Sequence, residues 1–333
     1  MIGRLRRLGR VAKAFREKPF RNELPMSAET VGLHKTLTPS EEILAKLFRP
    51  TDVDGVHLRT GAYEDVVDAL SRYITGMRPE GAEVYRFPPV VSRKLIEKSG
   101  YLKSFPNLLG CVCALSGDDA HIEGAVARFL SGGETWTRDL EATELLLAPA
   151  ACYPVYEIAS RQGVPPAQGF LYDVASDCFR REPSKSIDRL QSFRMREFVA
   201  IGAPEAIREF RSHWMARAPE IAGALGLAHR LEAASDPFFG RTGQVMGRYQ
   251  VLQSLKFEML IPVRSAEQPT ACMSFNYHRE HFGEVWDIRT EDGLPAHTAC
   301  VAFCMDRLAV ALFAAHGVDV AGWPNGVKAS LKL

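Results

Sequence analysis

The 333-residue sequence predicts an α+β fold, an antiparallel sheet carrying helices, and three observations predict it. Strand-like runs crowd residues 169–304, several joined by connections too short for parallel crossovers. Helical segments precede these runs, and one helical insert interrupts them. The last run passes straight into the apolar stretch 308–315, the longest in the chain and far short of the ~18 residues of a membrane span.

The elements follow in order. Residues 1–25 hold Arg4, Arg6, Arg7, Arg10, Lys13, Arg16, Lys18 and Arg21 against Glu17 and Glu23. That is +6, so the formal total of +1 leaves −5 for the remainder. This stretch lacks the apolar region and cleavage site of a secretory signal and reads as a disordered basic tail outside the fold. Residues 26–85 read as a small helical lead-in: Ser40 caps a helix over 40–48 with Glu41 and Glu42 in its first turn, and 63–74 has apolar residues at helical spacing.

Residues 86–333 read as the main domain. After Pro88 and Pro89, a helix over 92–99 closes at Gly100, and an extended segment over 108–115 follows, with Cys111 and Cys113 expected in the core. Strands are expected at 169–174, 177–182, 189–201, 253–260, 271–277 and 298–304. The insert, about 203–235, opens at Pro204, places Ile207, Phe210, Trp214 and Met215 on one face, and starts a second helix at Pro219. The final helix, 305–316, stops at Gly317. No internal repeat and no low-complexity linker divides the chain.

The balance of 41 basic and 40 acidic residues argues against a protein that coats a polyanion by bulk charge. Seven cysteines form an odd, scattered set without a CxxC pair. They read as reduced thiols of a cytoplasmic protein, with neither a disulfide framework nor a zinc finger. A metal would have to draw its ligands from separate elements.

The hairpin 177–201 carries the most chemistry. Alternation places Arg180 with Glu182 on one face of its first arm, and Phe193, Met195, Glu197 and Val199 on one face of the second. The string Phe179-Arg180-Arg181-Glu182, followed after a loop by Arg189-x-x-x-Phe193, resembles motif 2 of class II aminoacyl-tRNA synthetases. Cys300-Val-Ala-Phe-Cys-Met-Asp306-Arg307 resembles their motif 3. The string SGYLKSFP, residues 99–106, is similar to the end of motif 1, whose proline lies at the dimer interface in that family. Together with Cys152-Tyr-Pro-Val-Tyr, Phe193-Arg-Met-Arg-Glu197-Phe and Ser274-Phe-Asn276-Tyr-His278, these strings most resemble the amino acid:[carrier protein] ligases, truncated relatives of the atypical archaeal-type seryl-tRNA synthetase.

The resemblance implies an ATP site. In it Arg180 holds the α-phosphate, Glu182 accepts from the adenine amino group, Phe193 stacks on the base and Arg307 reaches the γ-phosphate. Arg189, Leu190, Lys256, Ala271, Cys272, Met273 and Ser274 supply further nucleotide contacts. Mg²⁺ accompanies ATP, with Glu284 and Asp287 as candidate ligands.

It also implies one Zn²⁺ per subunit on Cys152, Glu197 and Cys300, the open fourth position taking the α-amino group of the substrate. Asp236 falls near that amino group, and Ser274 and Asn276 line a small side-chain pocket suited to glycine or alanine. Phe193 and Glu197, four residues apart, stand ~13 Å apart along a strand, which suits a base pocket at one end and an amino acid pocket at the other. The sequence departs from motif 3 at Ala302 and Cys304, where small glycines are usual. His278 and His281 read as polar structural or substrate-edge histidines rather than ligands.

The implied function is activation of a small amino acid as its adenylate and transfer to the phosphopantetheine thiol of an acyl carrier protein, by a homodimer. A tRNA acceptor is disfavoured because too little chain precedes the core for a large tRNA-binding domain. The alternatives are a minimal seryl-tRNA synthetase gripping tRNA with the basic tail, and a silent paralogue acting as a binding module. Retention of Arg180, Glu182, Arg307 and the three implied zinc ligands speaks against the latter. Carrier proteins are acidic, so Arg208, Arg211, Arg217 and Arg230 mark residues 204–230 as a docking surface.

Overall fold

Long alternating strands dominate the centre of the chain because its β-branched and aromatic residues recur with period two from Phe170 onward. The computed structural model describes residues 38–132 and 135–333, which belong to a compact unit, Leu37–Leu333. The basic tail 1–25 and the start of the lead-in lie outside the described residues. Strands β1 (Phe48–Pro50) and β2 (His57–Arg59) form a small ribbon. Next come β3 (Glu83–Arg86), β4 (Val90–Ser92), β5 (Cys111–Leu115), β6 (Leu140–Leu147), β7 (Phe170–Phe179) and β8 (Ser192–Gly202). The set ends with β9 (Arg230–Ala233), β10 (Lys256–Ile261), β11 (Thr270–Arg279) and β12 (His297–Cys304).

The main sheet has the order β3-β7-β8-β12-β11-β10-β9, and β4-β6-β5 make a second sheet. Every pair in the main sheet is antiparallel except β3 with β7, so the sheet is mixed. One face packs on helices. Phe198, Phe275, Val301 and Phe303 meet Trp214 of the helix Pro204–Ala224, Leu308 and Phe313 of Met305–His316, and Tyr63 and Leu70 of Gly61–Thr75 in one core. Each such side chain contributes ~1.5–3 kcal/mol on burial, and together they fix the sheet's register. The opposite face carries a second core, in which Val199, Ile201 and Cys300 meet Val155 and Tyr156 of the helix Tyr153–Ala159 and Phe282 and Trp286 of His281–Trp286, and beside it the site.

Several elements differ from the sequence expectation. The first helix runs Pro39–Leu47 and is capped by Thr38, whose Oγ accepts from Glu41 N while the Glu41 carboxylate accepts from Thr38 N, the reciprocal box of a Thr-x-x-Glu start. The two strands expected at 169–174 and 177–182 are the single strand β7. It begins after Gly169, whose φ of +81° and close approach to the Ile201 carbonyl exclude a side chain. Because β7 ends at Phe179, Arg180 and Glu182 lie beyond the strand.

The insert is one helix, Pro204–Ala224, with Pro219 inside it. The proline removes one N–H, but Trp214, Ala218, Ile221 and Ala222 continue the same buried face across it. Cys111 and Cys113 are exposed rather than in the core, because β5 is an edge strand paired only with β6. Helices Asp119–Leu130, Gly240–Leu252 and His281–Trp286 carry no expectation from the sequence. Among the described residues no helix is long and apolar enough to cross a membrane.

Candidate active site

A cavity of about 630 Å³ opens on the face of the main sheet opposite that core, between the helices Tyr153–Ala159, Gly240–Leu252 and His281–Trp286. Alternation builds its floor: Phe193, Met195 and Glu197 from β8, Cys300, Ala302 and Cys304 from β12, Ser274 and Asn276 from β11, and Lys256 and Glu258 from β10 all point the same way. The register stacks them in rows, with Ala302 opposite both Glu197 and Ser274, and Asn276 opposite both Cys300 and Lys256. Alternation breaks at Ala271, Cys272 and Met273, which all line the cavity. There the pairing of β10 with β11 slips between Met259 and Leu260, the mark of a bulge.

Two arginines serve one end. Arg180 follows the end of β7, where its N–H donates to Gln191 O and its Nε donates to Pro149 O at 3.0 Å. The guanidinium stands 5.4 Å from the Phe193 ring centre. Arg307 projects from the first turn of the helix Met305–His316, its Nε donating to Asp188 O at 2.9 Å and its Nη1 to Ala271 O at 3.0 Å. Neither pairs with a carboxylate within salt-bridge distance among the described residues. The helix is pinned there by Asp306, only 1% exposed, which accepts from the Arg194 backbone N–H at 2.6 Å, from Arg194 Nη2 at 2.7 Å and from the Tyr63 hydroxyl at 3.1 Å.

Toward the middle, Lys256 Nζ lies between Asp236 Oδ1 at 2.6 Å and Glu258 Oε1 at 2.9 Å. Burial disfavours both charges of the Lys256–Asp236 pair, but their mutual attraction outweighs it: Lys256 is held above, and Asp236 below, its ordinary pKa. Gln250 closes on Asp236 from the helix Gly240–Leu252, accepting from its N–H and donating to Oδ2 at 2.8 Å. That helix comes this near because Gly243 faces the chain at Phe238, where a β-carbon would stand 2.6 Å from the backbone.

At the far end, the segment 148–152 crosses the sheet. It places Ala151 N to donate to Glu197 Oε1 at 2.9 Å and Cys152 at the start of the helix Tyr153–Ala159. Cys152, Glu197 and Cys300 are buried together, close enough to shift one another's ionisation. The Cys152 thiol, beside Cys300, is pushed well up. Cys300, with Cys152 beside it and then His278 and Asn276, is held well down, and burial with the charge of Cys300 raises Glu197 to about 8. Asn276 Nδ2 donates to Cys300 Sγ at 3.2 Å. Two thiols and a carboxylate on three separate elements are the donor types that zinc takes. As they stand, among the described residues no group of three or more His, Cys, Asp or Glu side chains has a metal-holding arrangement.

The structure thus gathers Arg180, Glu182, Phe193, Glu197, Asp236, Lys256, Ala271, Cys272, Met273, Ser274, Asn276, Cys152, Cys300 and Arg307 around one cavity, with His278 and His281 at its edge. Two expected contacts fall outside its lining. Leu190 packs beneath Phe193 with Cys178 and Cys304, and Arg189 is exposed with Nη1 3.3 Å from Glu182. Glu284 and Asp287 also stand away from the cavity. The short helix His281–Trp286 buries Phe282, Gly283 and Trp286 and turns the acids out, where Asp287 pairs with Arg289. Cys304 fills space under the Phe193 ring.

Glu258 and Tyr101 line the cavity without having been singled out in the sequence. Glu258 was legible as the same-face neighbour of Lys256, two residues on. Tyr101 carries a buried hydroxyl with no partner among the described residues, and burial pushes its pKa to about 12, so it is a neutral donor.

The four insert arginines divide. Arg208 pairs with Glu205, Arg217 with Glu220 and Arg230 with Glu232, while Arg211 pairs with no carboxylate among the described residues and donates to Ser254 O at 2.7 Å.

No family model matches the chain. It is 57% identical over 310 residues to amino acid–[acyl-carrier-protein] ligase 1 of Bradyrhizobium diazoefficiens, covering 93% of this chain and 94% of that protein. It is 26% identical over 284 residues to the type-2 serine–tRNA ligase of Methanopyrus kandleri, covering 80% of this chain but only 53% of that protein. The M. kandleri seryl-tRNA synthetase solved with A. aeolicus tRNASec superposes with a TM-score of 0.75 at 21% identity, over 98% of this chain and 68% of that one, and so shares the fold. The sheet, the cavity built on it and an identity of 57% along nearly the whole length lead to one assignment: the chain belongs to the amino acid–[acyl-carrier-protein] ligases.

Proposed function

We propose that the chain activates a small amino acid, glycine or alanine, with ATP and passes the aminoacyl group to the phosphopantetheine thiol of an acyl carrier protein. The observation that carries this reading is the meeting, in one cavity, of two arginines without carboxylate partners among the described residues and the buried set Cys152, Glu197 and Cys300. In the first step an amino acid carboxylate oxygen attacks the α-phosphorus and pyrophosphate leaves. Arg180 holds the α-phosphate and Arg307 the γ-phosphate, so that charge moving onto the leaving group meets fixed cations. Phe193 stacks on the base and Glu182 accepts from its amino group, while Mg²⁺ accompanies ATP.

Cys152, Glu197 and Cys300 would hold zinc, which when bound supplies a Lewis-acid site for the substrate's α-amino group. Asp236 adds negative charge near that group, and Ser274 and Asn276 restrict the side chain beside it. In the second step the pantetheine sulfur attacks the carbonyl carbon. A C–S bond forms, the C–O bond to AMP breaks, and the thiol proton leaves to solvent. The mixed anhydride is already electrophilic, so this step needs positioning above all.

A homodimer fits the apolar residues exposed around the small sheet, among them Val126, Phe129 and Leu130 on the helix Asp119–Leu130, Trp136, and Leu145 of β6.

The test is amino acid-dependent ATP–pyrophosphate exchange across the twenty amino acids, followed by labelled transfer to holo-carrier protein or to tRNA. Exchange with glycine or alanine and label on the carrier protein are expected. Exchange with neither, or label only on tRNA, overturns the reading.

A further inference from the structure

Against β12, the strand β11 slips once in register. Tyr277 sits opposite Ala299 and Arg279 opposite Thr298, so His278 has no residue across from it and is the extra residue of a bulge. Arg279 takes up the distortion with a left-handed backbone, φ +54°, which is strained for a residue with a β-carbon. A bulge beside a site re-aims a side chain, and here that side chain is an imidazole on the cavity wall.

Both ring nitrogens of His278 are engaged. Nδ1 lies 3.0 Å from Oγ1 of the fully buried Thr298, and Nε2 lies 3.9 Å from Cys300 Sγ. The ring stands edge-on to Tyr156 and Phe282, at 87° and 79°, which fixes its plane. Asn276 serves the same sulfur: its Nδ2 donates to Ser274 Oγ at 3.1 Å and to Cys300 Sγ at 3.2 Å. Other buried thiols behave differently. Cys178 and Cys272 donate to the carbonyls of Ser176 and Thr270, as neutral thiols do, whereas Cys300 is met by N–H donors. A sulfur that serves a metal carries negative charge, so the hydrogen facing it belongs on Nε2, and the Thr298 hydroxyl then donates to Nδ1.

We propose that His278, held by Thr298, and Asn276 are positioning residues for Cys300 as a zinc ligand: they fix the direction of its sulfur and so set how tightly the chain holds the ion. This rests on the zinc site proposed above and names what supports it. The bulge and the strained Arg279 are the conformational cost of turning His278 to the sulfur. Glu197 has its own support in the Ala151 N–H at 2.9 Å, so two of the three donors are held by the fold. Cys152, at the end of the crossing segment, is the one left to close on the ion.

The test is zinc affinity, measured by competition against a chromogenic chelator, in wild type, His278→Phe, His278→Gln and Thr298→Val. His278→Phe keeps a ring against Tyr156 and Phe282 but loses the N–H, and its zinc dissociation constant rises about tenfold to a hundredfold. His278→Gln, whose amide N–H reaches toward the place of Nε2, recovers part of that loss, which packing alone would not. Thr298→Val keeps the volume and leaves the imidazole in place, yet weakens zinc in the same direction, and it carries the test where His278→Phe does not fold. Unchanged affinity in His278→Phe or in Thr298→Val, or a loss that His278→Gln leaves unrecovered, overturns the role. Wild-type protein that takes up no zinc overturns the zinc reading itself, and this role with it.

Discussion

Replacing Asp306 by alanine tests how Arg307, proposed above to hold the γ-phosphate, is positioned. Asp306 is 1% exposed and holds together three elements: β8 through Arg194, the helix Gly61–Thr75 through Tyr63, and β2 through Arg59 Nε at 3.4 Å. Removing one partner of a buried ion pair costs ~3–5 kcal/mol, because the other charge is left without compensation. Arg194 and Arg59 each keep 21% of their side-chain surface, so water relieves part of this and the lower end, ~3 kcal/mol, is expected. A unit of this size has an unfolding entropy of about 0.6 kcal/mol/K, which turns that loss into a Tm decrease of about 5 °C. Arg307 is the next residue, so pyrophosphate exchange at 25 °C, where the variant is still folded, falls between tenfold and about a hundredfold. Asp306→Asn keeps the acceptor for Tyr63 and recovers part of both losses. A melt within about 1 °C of wild type, or full exchange activity in a destabilised protein, refutes the reasoning.

Four further outcomes are expected. Arg180→Lys keeps a charge but loses the fork, and pyrophosphate exchange falls by about 10²–10³ while the melt is unchanged; a fall under about threefold would show that Arg180 does not hold the α-phosphate. Metal analysis of the purified protein gives one zinc per chain for wild type and none for Cys152→Ala; equal zinc in both removes Cys152 from the ligand set. Tyr101→Phe removes a hydroxyl that has no partner among the described residues, so Tm is unchanged or higher while exchange slows about fivefold or more; equal rates would leave the hydroxyl without a role. Asp173 is buried, which raises its pKa, but the hydrogen bonds and charges of Arg196, Arg78 and Arg86 win and hold it below the carboxylate range. Its stabilising effect is therefore full above about pH 4 and lost as pH falls through the depressed value, and Asp173→Asn should flatten that acid limb in a pH series of urea melts.

The legible parts of the fold were those where one face is core and the other is not. On β8 the pattern Phe193, Met195, Glu197 against Arg196, Phe198 and Ala200 fixes which side faces the cavity, and the structure follows it. The illegible parts are where apolar residues face outward or alternation slips. The helix Gly240–Leu252 exposes Val245, Met246, Tyr249 and Leu252 and buries Gly243 and Gly247, so a hydrophobic period points to the wrong side. The helix Asp119–Leu130 likewise exposes Val126, Phe129 and Leu130. The bulge that brings Ala271, Cys272 and Met273 all to the cavity has no sequence mark, since it depends on how β10 pairs. Arg180 needed the fold too: it lies past the end of β7, and the carbonyl that holds it belongs to Pro149, 31 residues away. The three acidic donors at the far end were named only through resemblance, because three residues spread over 148 positions carry no local signal of their meeting.

The partners of the arginines separate structure from binding. Arg194 and Arg196 lie on the helix-packed side and pair with Asp306 and Asp173, so their charge is spent inside the protein. Arg180 and Arg307 line the cavity and are held by the carbonyls of Pro149, Asp188 and Ala271. A carbonyl fixes the direction of a guanidinium while leaving its full charge for a ligand; a carboxylate fixes it and cancels the charge. The same criterion sorts Arg208, Arg211 and Arg279. Arg208 pairs with Glu205 and belongs with the structural arginines, whereas Arg211 and Arg279 are held by a carbonyl, a hydroxyl and an amide and keep their charge. Lys256, held between two carboxylates, has its charge cancelled where it stands and so cannot serve as a phosphate grip until a substrate competes for Asp236 or Glu258. An ammonium group arriving near Asp236 is such a competitor, and it would turn Lys256 toward the nucleotide only once the amino acid is bound. Exchange kinetics test that order: amino acid should lower the KM for ATP in wild type, and Lys256→Met should abolish the effect, whereas an unchanged dependence would mean that Lys256 stays with its carboxylates throughout.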